Sequence, residues 1–198
     1  MGSFRASRTA KNLLISYAFE SQATTRYTFF ANQAQREGYI QIAAIFTETA
    51  GQECEHALRF FKFFNGGELE VTASFLTGAL NNTVDNLVAA ADLEKSVHSQ
   101  LYPGFAAIGR EEGFVRAADL WDAISVAEVQ HERTFRALAK NLATGTAFSR
   151  ESSCVWRCRN CGYIHSGKQA PEPCPACARP ATHFEIFVPE WGVGLCQL

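Results

Sequence analysis

Two copies of a Glu-x-x-His motif constrain this sequence more than any other feature. The first is Glu53-Cys54-Glu55-His56 and the second is Glu128-Val129-Gln130-His131. Residues i and i+3 of an α-helix share a face, so the glutamate and histidine of each motif can bind one metal ion together. A single copy is most simply a solvated helix face. Two copies call for a common explanation.

A lone glutamate precedes each motif on an apolar helical stretch of its own. Glu20 lies 33 residues before Glu53, and Glu94 lies 34 residues before Glu128. Single glutamates from two helices and Glu-x-x-His from two others form the ligand set of ferritin-like di-iron carboxylate bundles. Four carboxylates on apolar faces would be costly to bury without a cation. The sequence therefore predicts a two-metal site with six ligands: Glu20, Glu53, His56, Glu94, Glu128 and His131.

The two motifs belong to an internal repeat with an offset of 75 residues. Glu37-Gly38-Tyr39 matches Glu112-Gly113-Phe114, and Tyr27 matches Tyr102, whereas Glu20 and Glu94 match with a slip of one residue. A duplicated helix pair explains these matches together. Because both tyrosines flank the predicted ligands, we expect Tyr27 and Tyr102 to hydrogen-bond ligand carboxylates and to donate protons; core packing is the alternative.

Composition places the chain among ordinary globular proteins. Its 198 residues are 47% hydrophobic and include 16 Phe, which is enough for a sizeable core. The net charge of −2 gives no reason to expect a nucleic-acid or membrane partner. No apolar run approaches the roughly 18 residues of a membrane span, and the first residues lack a secretory signal. We therefore expect a cytoplasmic protein.

The helical spacing of apolar residues and the positions of helix-ending glycines predict a mainly α-helical protein with two domains. These are a four-helix bundle over 1–149 and a small metal module over 150–198. A long crossover is expected over 65–82, between the two helix pairs. Thr83 is the expected cap of the third helix, Pro103 should kink that helix near Tyr102, and 146–155 resembles a linker. The four helices are expected from Ser7 or Thr9 to Glu37, Tyr39 to Phe64, Thr83 to Glu112, and Phe114 to Ala143.

Two Cys-x-x-Cys pairs dominate the second domain, Cys158/Cys161 and Cys174/Cys177, with twelve residues between them. In a reducing compartment such pairs indicate metal binding rather than disulfides. Four thiolates in a tetrahedron suit zinc or iron. So short a module needs the metal as a staple. A zinc-ribbon binding module therefore stays open as an alternative.

Taken together, these motifs resemble the rubrerythrin family over the chain as far as about residue 191. The resemblance implies a ferritin-like di-iron bundle followed by a small all-β rubredoxin-like module, with two Fe in the bundle and one Fe in the four-cysteine site. It rests on these segments: Glu20-Ser21-Gln22-Ala23, Arg26-Tyr27, both Glu-x-x-His motifs, Tyr102-Pro103-Gly104-Phe105, Trp156-Arg157-Cys158-Arg159-Asn160-Cys161-Gly162-Tyr163 and Cys174-Pro175-Ala176-Cys177.

The resemblance also implies an activity and partners. Rubrerythrins reduce hydrogen peroxide to water, with electrons relayed through the rubredoxin-like iron. The expected donor is a rubredoxin or an NAD(P)H-dependent rubredoxin reductase. The expected assembly is a head-to-tail homodimer or a higher oligomer, in which one subunit's cysteine site faces the di-iron site of the other.

One position departs from the family pattern. Rubrerythrins carry a further glutamate one turn after the residue matched by Glu94, and this chain has Val97 there. In the family that carboxylate binds iron in the oxidised state and yields to the histidine matched by His56 on reduction. The remaining six-ligand site is that of ferritins, so ferroxidase, iron-handling or oxygen-reducing activity is the alternative function. His98 is expected to lie beside the site or on the surface.

Three cysteines fall outside these motifs. For Cys54 a packing role is expected rather than redox chemistry, and Cys154 and Cys196 are expected to be free thiols. No structure is predicted for residues 192–198.

Overall fold

The computed structural model describes residues 4–188. The bundle consists of α1 (Arg8–Arg36), α2 (Ile40–Phe61), α3 (Thr83–Ser96), a π-helical segment (Val97–Leu101), α4 (Tyr102–Glu111) and α5 (Val115–Ala143). Two short 3₁₀ turns, Phe4–Ala6 and Ala181–His183, complete the helical elements, and β1 (Ser149–Cys158), β2 (Ile164–Gln169) and β3 (Phe184–Ile186) form the C-terminal module. The fold is thus mainly helical with a small β module, which confirms the predicted fold class.

Two antiparallel helix pairs build the bundle. α1 packs along α2, while α3 and α4 pack along α5. Residues 62–82 connect the pairs without forming a regular helix or strand. This crossover is fastened to α1, because Arg26 Nη2 donates to the Leu76 carbonyl at 2.6 Å and the rings of Phe19 and Phe75 lie 5.8 Å apart. The long crossover predicted from the sequence is present.

Each helix pair caps the first helix of the other. Glu112 Oε2 accepts from the Thr9 amide at 2.8 Å and from the Thr9 hydroxyl at 2.6 Å, at the start of α1. Its repeat partner Glu37 accepts from the Thr83 amide at 3.1 Å, at the start of α3. The first amides of a helix have no intrahelical acceptor, and a carboxylate there also complements the helix dipole. The Glu-Gly-aromatic repeat therefore marks a reciprocal link between the two pairs.

The π-helical segment explains the one-residue slip in the repeat. Glu20 and Tyr27 are seven residues apart, whereas Glu94 and Tyr102 are eight apart. A π turn accommodates one additional residue in a helix and frequently lies at a functional site. Pro103, which lacks an amide hydrogen, follows directly in the first turn of α4. Where the sequence predicted a kink near Tyr102, the structure has a widened turn that returns Tyr102 to the inward face.

One cap prediction was wrong. Asn82, not Thr83, caps α3, because the Asn82 side chain accepts from the Asp85 amide while its backbone is extended. Thr83 becomes the first helical residue. Ser7 caps α1 as one of the two residues expected there, accepting from the Ala10 amide at 3.0 Å.

Aromatic clusters fill the bundle on both sides of its centre. Phe46 and Phe135 pack with ring centroids 5.0 Å apart towards one end, and Phe60 contacts Tyr102 and Trp121 towards the other. All five side chains are essentially inaccessible to solvent. These clusters supply the apolar burial that favours folding. The polar centre is therefore held between two rigid apolar layers.

The C-terminal module is a three-stranded antiparallel sheet in the order β2-β1-β3. Trp156 and Phe184 are fully buried in its core. The linker predicted for 146–155 is shorter than expected, because β1 begins at Ser149 and pairs with β2 through a register irregularity between Ser149 and Cys154. The 3₁₀ turn before β3 lies against the start of α2, where Thr182 approaches Gly38. The domain boundary at 149/150 stays a prediction.

Within residues 4–188, no helix combines the length and the apolar character needed to cross a membrane.

The reciprocal capping predicts an acid-dependent loss of stability. Hydrogen bonds from Thr9 outweigh the opposing effect of burial and lower the pKa of Glu112 to about 2. A lowered pKa stabilises the fold fully above the unfolded value near 4.3, and this stabilisation is lost as the pH falls towards 2. Glu112→Gln should lower the free energy of unfolding by about 1 kcal/mol at pH 7, which is typical of a lost helix cap.

Urea titrations at pH 7 and pH 3 measure this effect. Glu111→Gln is the control, because Glu111 is exposed and its contact to this helix is a surface ion pair with Arg8. Equal stability losses in the two variants would contradict the capping role.

Candidate metal centres

Six side chains from four helical segments converge at the centre of the bundle. Glu20 comes from α1, Glu53 and His56 from α2, Glu94 from α3, and Glu128 and His131 from α5. Their ligand atoms form two overlapping groups, each within 4.8 Å: Glu20, Glu53, His56 and Glu128 form one, and Glu53, Glu94, Glu128 and His131 the other.

Because Glu53 and Glu128 belong to both groups, their positions suit carboxylates that bridge two ions. Glu20 with His56, and Glu94 with His131, would then each complete one ion. The structure therefore brings together all six residues that the sequence singled out.

Both histidines point the same ring nitrogen into the site. His56 Nδ1 lies 2.9 Å from Glu53 Oε2 and 3.0 Å from Glu128 Oε1. His131 Nδ1 lies 2.6 Å from Glu128 Oε2 and 3.0 Å from Glu53 Oε1. In both cases the Nδ1 atom is the one that would bind metal.

The donor set fits two cations. The four glutamates are at most 3% exposed. The Oε1 atoms of Glu53 and Glu128 are buried and receive no hydrogen bond of adequate geometry, although a histidine nitrogen lies 3.0 Å from each. Buried carboxylate oxygens without donors are costly unless a cation contacts them. Mixed carboxylate and imidazole ligands are those used by non-haem iron.

Protons replace cations when the site holds no metal. Burial, followed by repulsion from Glu53 and Glu128, raises the pKa of Glu20 well above its ordinary value, and Glu94 behaves alike. Burial alone would lower the pKa of each histidine, but the hydrogen bonds that the ring nitrogen donates to the two shared glutamates outweigh it. The pKa of His56 rises to about 10 and that of His131 to about 9. Protons and metal ions therefore compete for the same ligand atoms.

The two tyrosines cross over between the repeats. The Tyr27 hydroxyl donates to Glu94, and the Tyr102 hydroxyl donates to Glu20. Both rings are fully buried. Burial, together with the charge of the contacted glutamate, raises the pKa of each phenol well above its ordinary value. The tyrosines therefore remain protonated and orient the two outer carboxylates, and the structure shows the contact expected from the sequence.

Position 97 lies among apolar side chains. Val97 is 3% exposed and belongs to a buried apolar cluster that also contains Leu13, Tyr102 and Trp121. His98 turns away from the ligands, with Nε2 2.6 Å from Glu132 Oε2 on α5. The ligand atoms that converge at the site thus come from six residues, with no seventh ligand from this turn.

Sequence reasoning missed Gln52. Its Oε1 atom lies 2.9 Å from Nε2 of His131, across the interface between α2 and α5. Polar side chains that contact the outer nitrogen of a metal-binding histidine set its tautomer and orientation. The available signal was a break in the repeat, since the residue that corresponds to Gln52 in the second half is Ala127.

The four predicted cysteines meet in the C-terminal module. Their Sγ atoms lie within 4.8 Å of one another, with 3.8 Å between Cys158 and Cys177 and between Cys161 and Cys174. A tetrahedral ion with metal–sulfur bonds of about 2.3 Å has sulfur–sulfur edges of about 3.8 Å, so the cysteines fit such an ion. Cys158 and Cys174 are buried, whereas Cys161 is exposed.

Each Cys-x-x-Cys pair is closed by a similar turn. The Gly162 amide donates to the Cys158 carbonyl at 2.8 Å, and the Ala178 amide donates to the Cys174 carbonyl at 2.9 Å. Gly162 and Ala178 both have positive φ, at 79° and 58°. This left-handed conformation costs energy for alanine and is sustained by the surrounding structure. The two turns therefore aim all four thiols at one point.

Cys54 and Cys154 do not join either cluster. Cys54 is exposed in a groove beside Tyr17 and Phe61, so the packing role expected for it was wrong. It follows Glu53 on α2 and is rotated by about 100° from it, away from the bundle axis. Cys154 is a half-buried free thiol. Cys196 and residues 192–198 lie outside the described residues.

Comparisons with known proteins agree with this architecture. The family model described as rubrerythrin matches residues 11–139, and that of the rubredoxin-like domain of rubrerythrin matches residues 156–185. Rubrerythrin from Nitratidesulfovibrio vulgaris is 49% identical over 96% of this chain and all of its own length. Rubrerythrin from Porphyromonas gingivalis is 50% identical over 92% of each chain.

A solved structure of nigerythrin in its fully reduced, all-ferrous state covers 92% of this chain and 90% of its own, with 29% identity and a TM-score of 0.61. The fold and site define a ferritin-like bundle with paired carboxylate–histidine ligands, joined to a rubredoxin-like module with four cysteine ligands. The chain belongs to the rubrerythrin family.

The overlapping groups predict unequal effects of removing single ligands. Glu53→Ala or Glu128→Ala removes a carboxylate shared by both ions and should abolish binding of the metal pair. Glu20→Ala should weaken mainly the ion beside His56, since Glu20 belongs to one group alone. Iron content of the bundle, measured after subtracting the iron of the four-cysteine site, tests this. Glu55→Ala is the exposed control on the same helix, and two irons retained in Glu53→Ala would contradict the bridging role.

Raised pKa values predict opposite pH responses of the metal-free and metal-loaded proteins. Groups whose folded pKa is raised stabilise the fold below their unfolded pKa, and this stabilisation is lost as the pH rises through the folded value. The thermal midpoint of the metal-free protein should therefore fall between about pH 6.5, the ordinary value for histidine, and pH 9. Iron affinity should rise over the same range because binding releases protons. Differential scanning calorimetry of the metal-free and iron-loaded proteins at each pH measures the two thermal midpoints, and the difference between them reports iron affinity. A metal-free midpoint that stays constant would contradict the prediction.

Proposed function

We propose that this protein is a non-haem di-iron peroxidase that reduces hydrogen peroxide to water. The observation that carries the proposal is the combination, in one chain, of a buried two-metal ligand set with a tetrahedral thiolate site. Peroxide reduction consumes two electrons and two protons and yields two water molecules. Two ferrous ions would supply both electrons at once, and the thiolate-bound iron would replace them one at a time.

The residues around the proposed ions determine how small molecules reach the site and where protons are held. The side chain of His56 is 15% exposed, whereas those of Glu53 and Glu128 are 1% exposed, so small molecules reach the site from the histidine side. Tyr27 and Tyr102 hold protons on hydrogen bonds to Glu94 and Glu20. Protonatable groups within reach of the reacting oxygen atoms are what general acid catalysis requires. The surrounding aromatic layers keep bulk water out.

Electron delivery is proposed to cross between subunits. Within one chain, Thr182 of the module lies against Gly38, and Glu53 is fifteen residues further along the chain. At 1.5 Å per helical residue, Glu53 therefore lies about 22 Å along the helix from the point where the module contacts the bundle. Because electron transfer slows steeply with distance, a head-to-tail homodimer that brings a partner's exposed Cys161 near the di-iron site accounts better for turnover. The proposed donor is a rubredoxin or an NAD(P)H-dependent rubredoxin reductase, and the proposed location is the cytoplasm.

Loss of the thiolate iron tests the relay. In Cys161→Ser/Cys177→Ser the reduced bundle should still be oxidised once by peroxide, but steady-state NADH consumption with a rubredoxin reductase should cease. Cys154→Ser is the matched control, since Cys154 is a free thiol outside the cluster. Full turnover in the double variant would show that the four-cysteine site does not carry the electrons.

Oxidation of ferrous iron by oxygen is the second candidate function, and Val97 favours it. The site offers six ligands, four of them carboxylates, and no further carboxylate at position 97, which is the ligand set of ferritins. Stopped-flow oxidation of the reduced protein distinguishes the two functions. Faster oxidation by peroxide than by oxygen supports the peroxidase, and the reverse order supports the ferroxidase.

Val97 also predicts how the site responds to oxidation. No carboxylate at position 97 competes with His56, whose Nδ1 already points at both shared glutamates. We expect His56 to bind in both oxidation states and the iron–iron distance to change by less than about 1 Å, as for ligands held by a packed shell. The extra anionic ligand in Val97→Glu should favour the ferric state and lower the di-iron potential. Structures of both oxidation states and redox titration test this; release of His56 on oxidation of the native protein would contradict it.

A further inference from the structure

The two halves of the metal site are nearly equivalent. Each repeat contributes one outer glutamate, one shared glutamate and one histidine whose Nδ1 faces the site. Each outer glutamate accepts from the tyrosine of the other repeat. If nothing else differed, the two ions would be bound alike.

The two halves of the site differ at Nε2, the histidine nitrogen that points away from the metal ligands. Nε2 of His131 lies 2.9 Å from Oε1 of Gln52, which projects from α2 towards α5. On α5 the repeat-related residue is Ala127, whose methyl group cannot accept a hydrogen bond. Among residues 4–188, no side chain or carbonyl makes a hydrogen bond with Nε2 of His56. His131 is also the less exposed ring, at 9% against 15%.

We infer that Gln52 is a positioning residue that makes the two metal positions unequal. A histidine that binds metal through Nδ1 must carry its hydrogen on Nε2. At His131 that hydrogen is donated to Gln52, which fixes the tautomer, holds the ring in place and makes Nδ1 a stronger donor to the metal. His56 has no such support. The ion beside Glu94 and His131 is therefore the tighter one, and the ion beside Glu20 and His56 binds second and leaves first.

This inference rests on the proposed two-metal site but not on peroxide as the substrate. Its test is a titration of the metal-free full-length protein with Co²⁺, followed by absorption spectroscopy and calorimetry. Thiolate charge-transfer bands report the four-cysteine site separately and act as an internal reference. The native bundle should show two unequal binding constants. If it bound no Co²⁺, the two-metal site itself would be refuted, and this inference with it.

Gln52→Met keeps the length of the side chain but removes the acceptor. It should weaken the tighter constant by about 10-fold to 100-fold, the usual effect of losing a partner behind a metal ligand, and leave the weaker constant and the thiolate bands unchanged. Gln52→Glu keeps an acceptor and should retain the tight constant. Gln130→Met is the matched control, because Gln130 is exposed beside His131 and its amide contacts Thr134 rather than a ligand.

Thermal midpoints of all variants identify any that fail to fold. Two equal constants in the native protein would overturn the inference. So would a Gln52→Met protein that binds both ions as tightly as Gln130→Met does, or a Gln52→Glu protein that loses the tight constant.

Discussion

Four carboxylates enclosed in an apolar bundle are the constraint on which the rest of the structure depends. Their ligand atoms approach within 4.8 Å in two overlapping groups, and burial gives each negative charge a high free energy. Protons on Glu20, Glu94 and the histidines relieve the repulsion without metal. Packing elsewhere must hold these groups together, and the aromatic layers around Phe46 and Trp121 do so. An arrangement that destabilises the empty site is also one that binds cations strongly.

Because the helix pair is duplicated, the two pairs contact each other through equivalent residues at two places. The crossed contacts of Tyr27 with Glu94 and of Tyr102 with Glu20 tie each repeat to the ligands of the other. At the bundle end, the crossed caps made by Glu37 and Glu112 do the same for helix termini. Neither helix pair alone contains a complete metal site. Assembly of the two pairs and assembly of the site are therefore one process.

Departures from the repeat are where the two halves acquire separate roles. The π-helical segment inserts one residue between Glu94 and Tyr102 yet keeps both facing inward. Gln52 has Ala127 as its counterpart, so one histidine has a supporting acceptor and the other does not. Each departure changes the surroundings of the metals without changing the six side chains that converge on them.

Short-range sequence rules failed where several local solutions have similar energy. Asn82 and Thr83 both cap helices well; in the structure the Asn82 side chain accepts from the Asp85 amide, and the Thr83 amide donates to Glu37 of the other pair. The polar stretch after α5 resembled a linker, but strand pairing with β2 extends β1 back to Ser149. In both places a contact with a residue distant in the chain accompanies the local structure.

The sequence alone predicts the ligand residues, the helical fold and the four-cysteine module, because helical periodicity and fixed motif spacings are local properties of a polymer. Which glutamates are shared, which tyrosine contacts which carboxylate, and which histidine is supported by Gln52 were not readable. These depend on the rotation and depth at which four helices pack, and many side chains far apart in the chain determine that packing together. The residues of the site therefore follow from the sequence, whereas the inequality of its two halves follows from the tertiary structure.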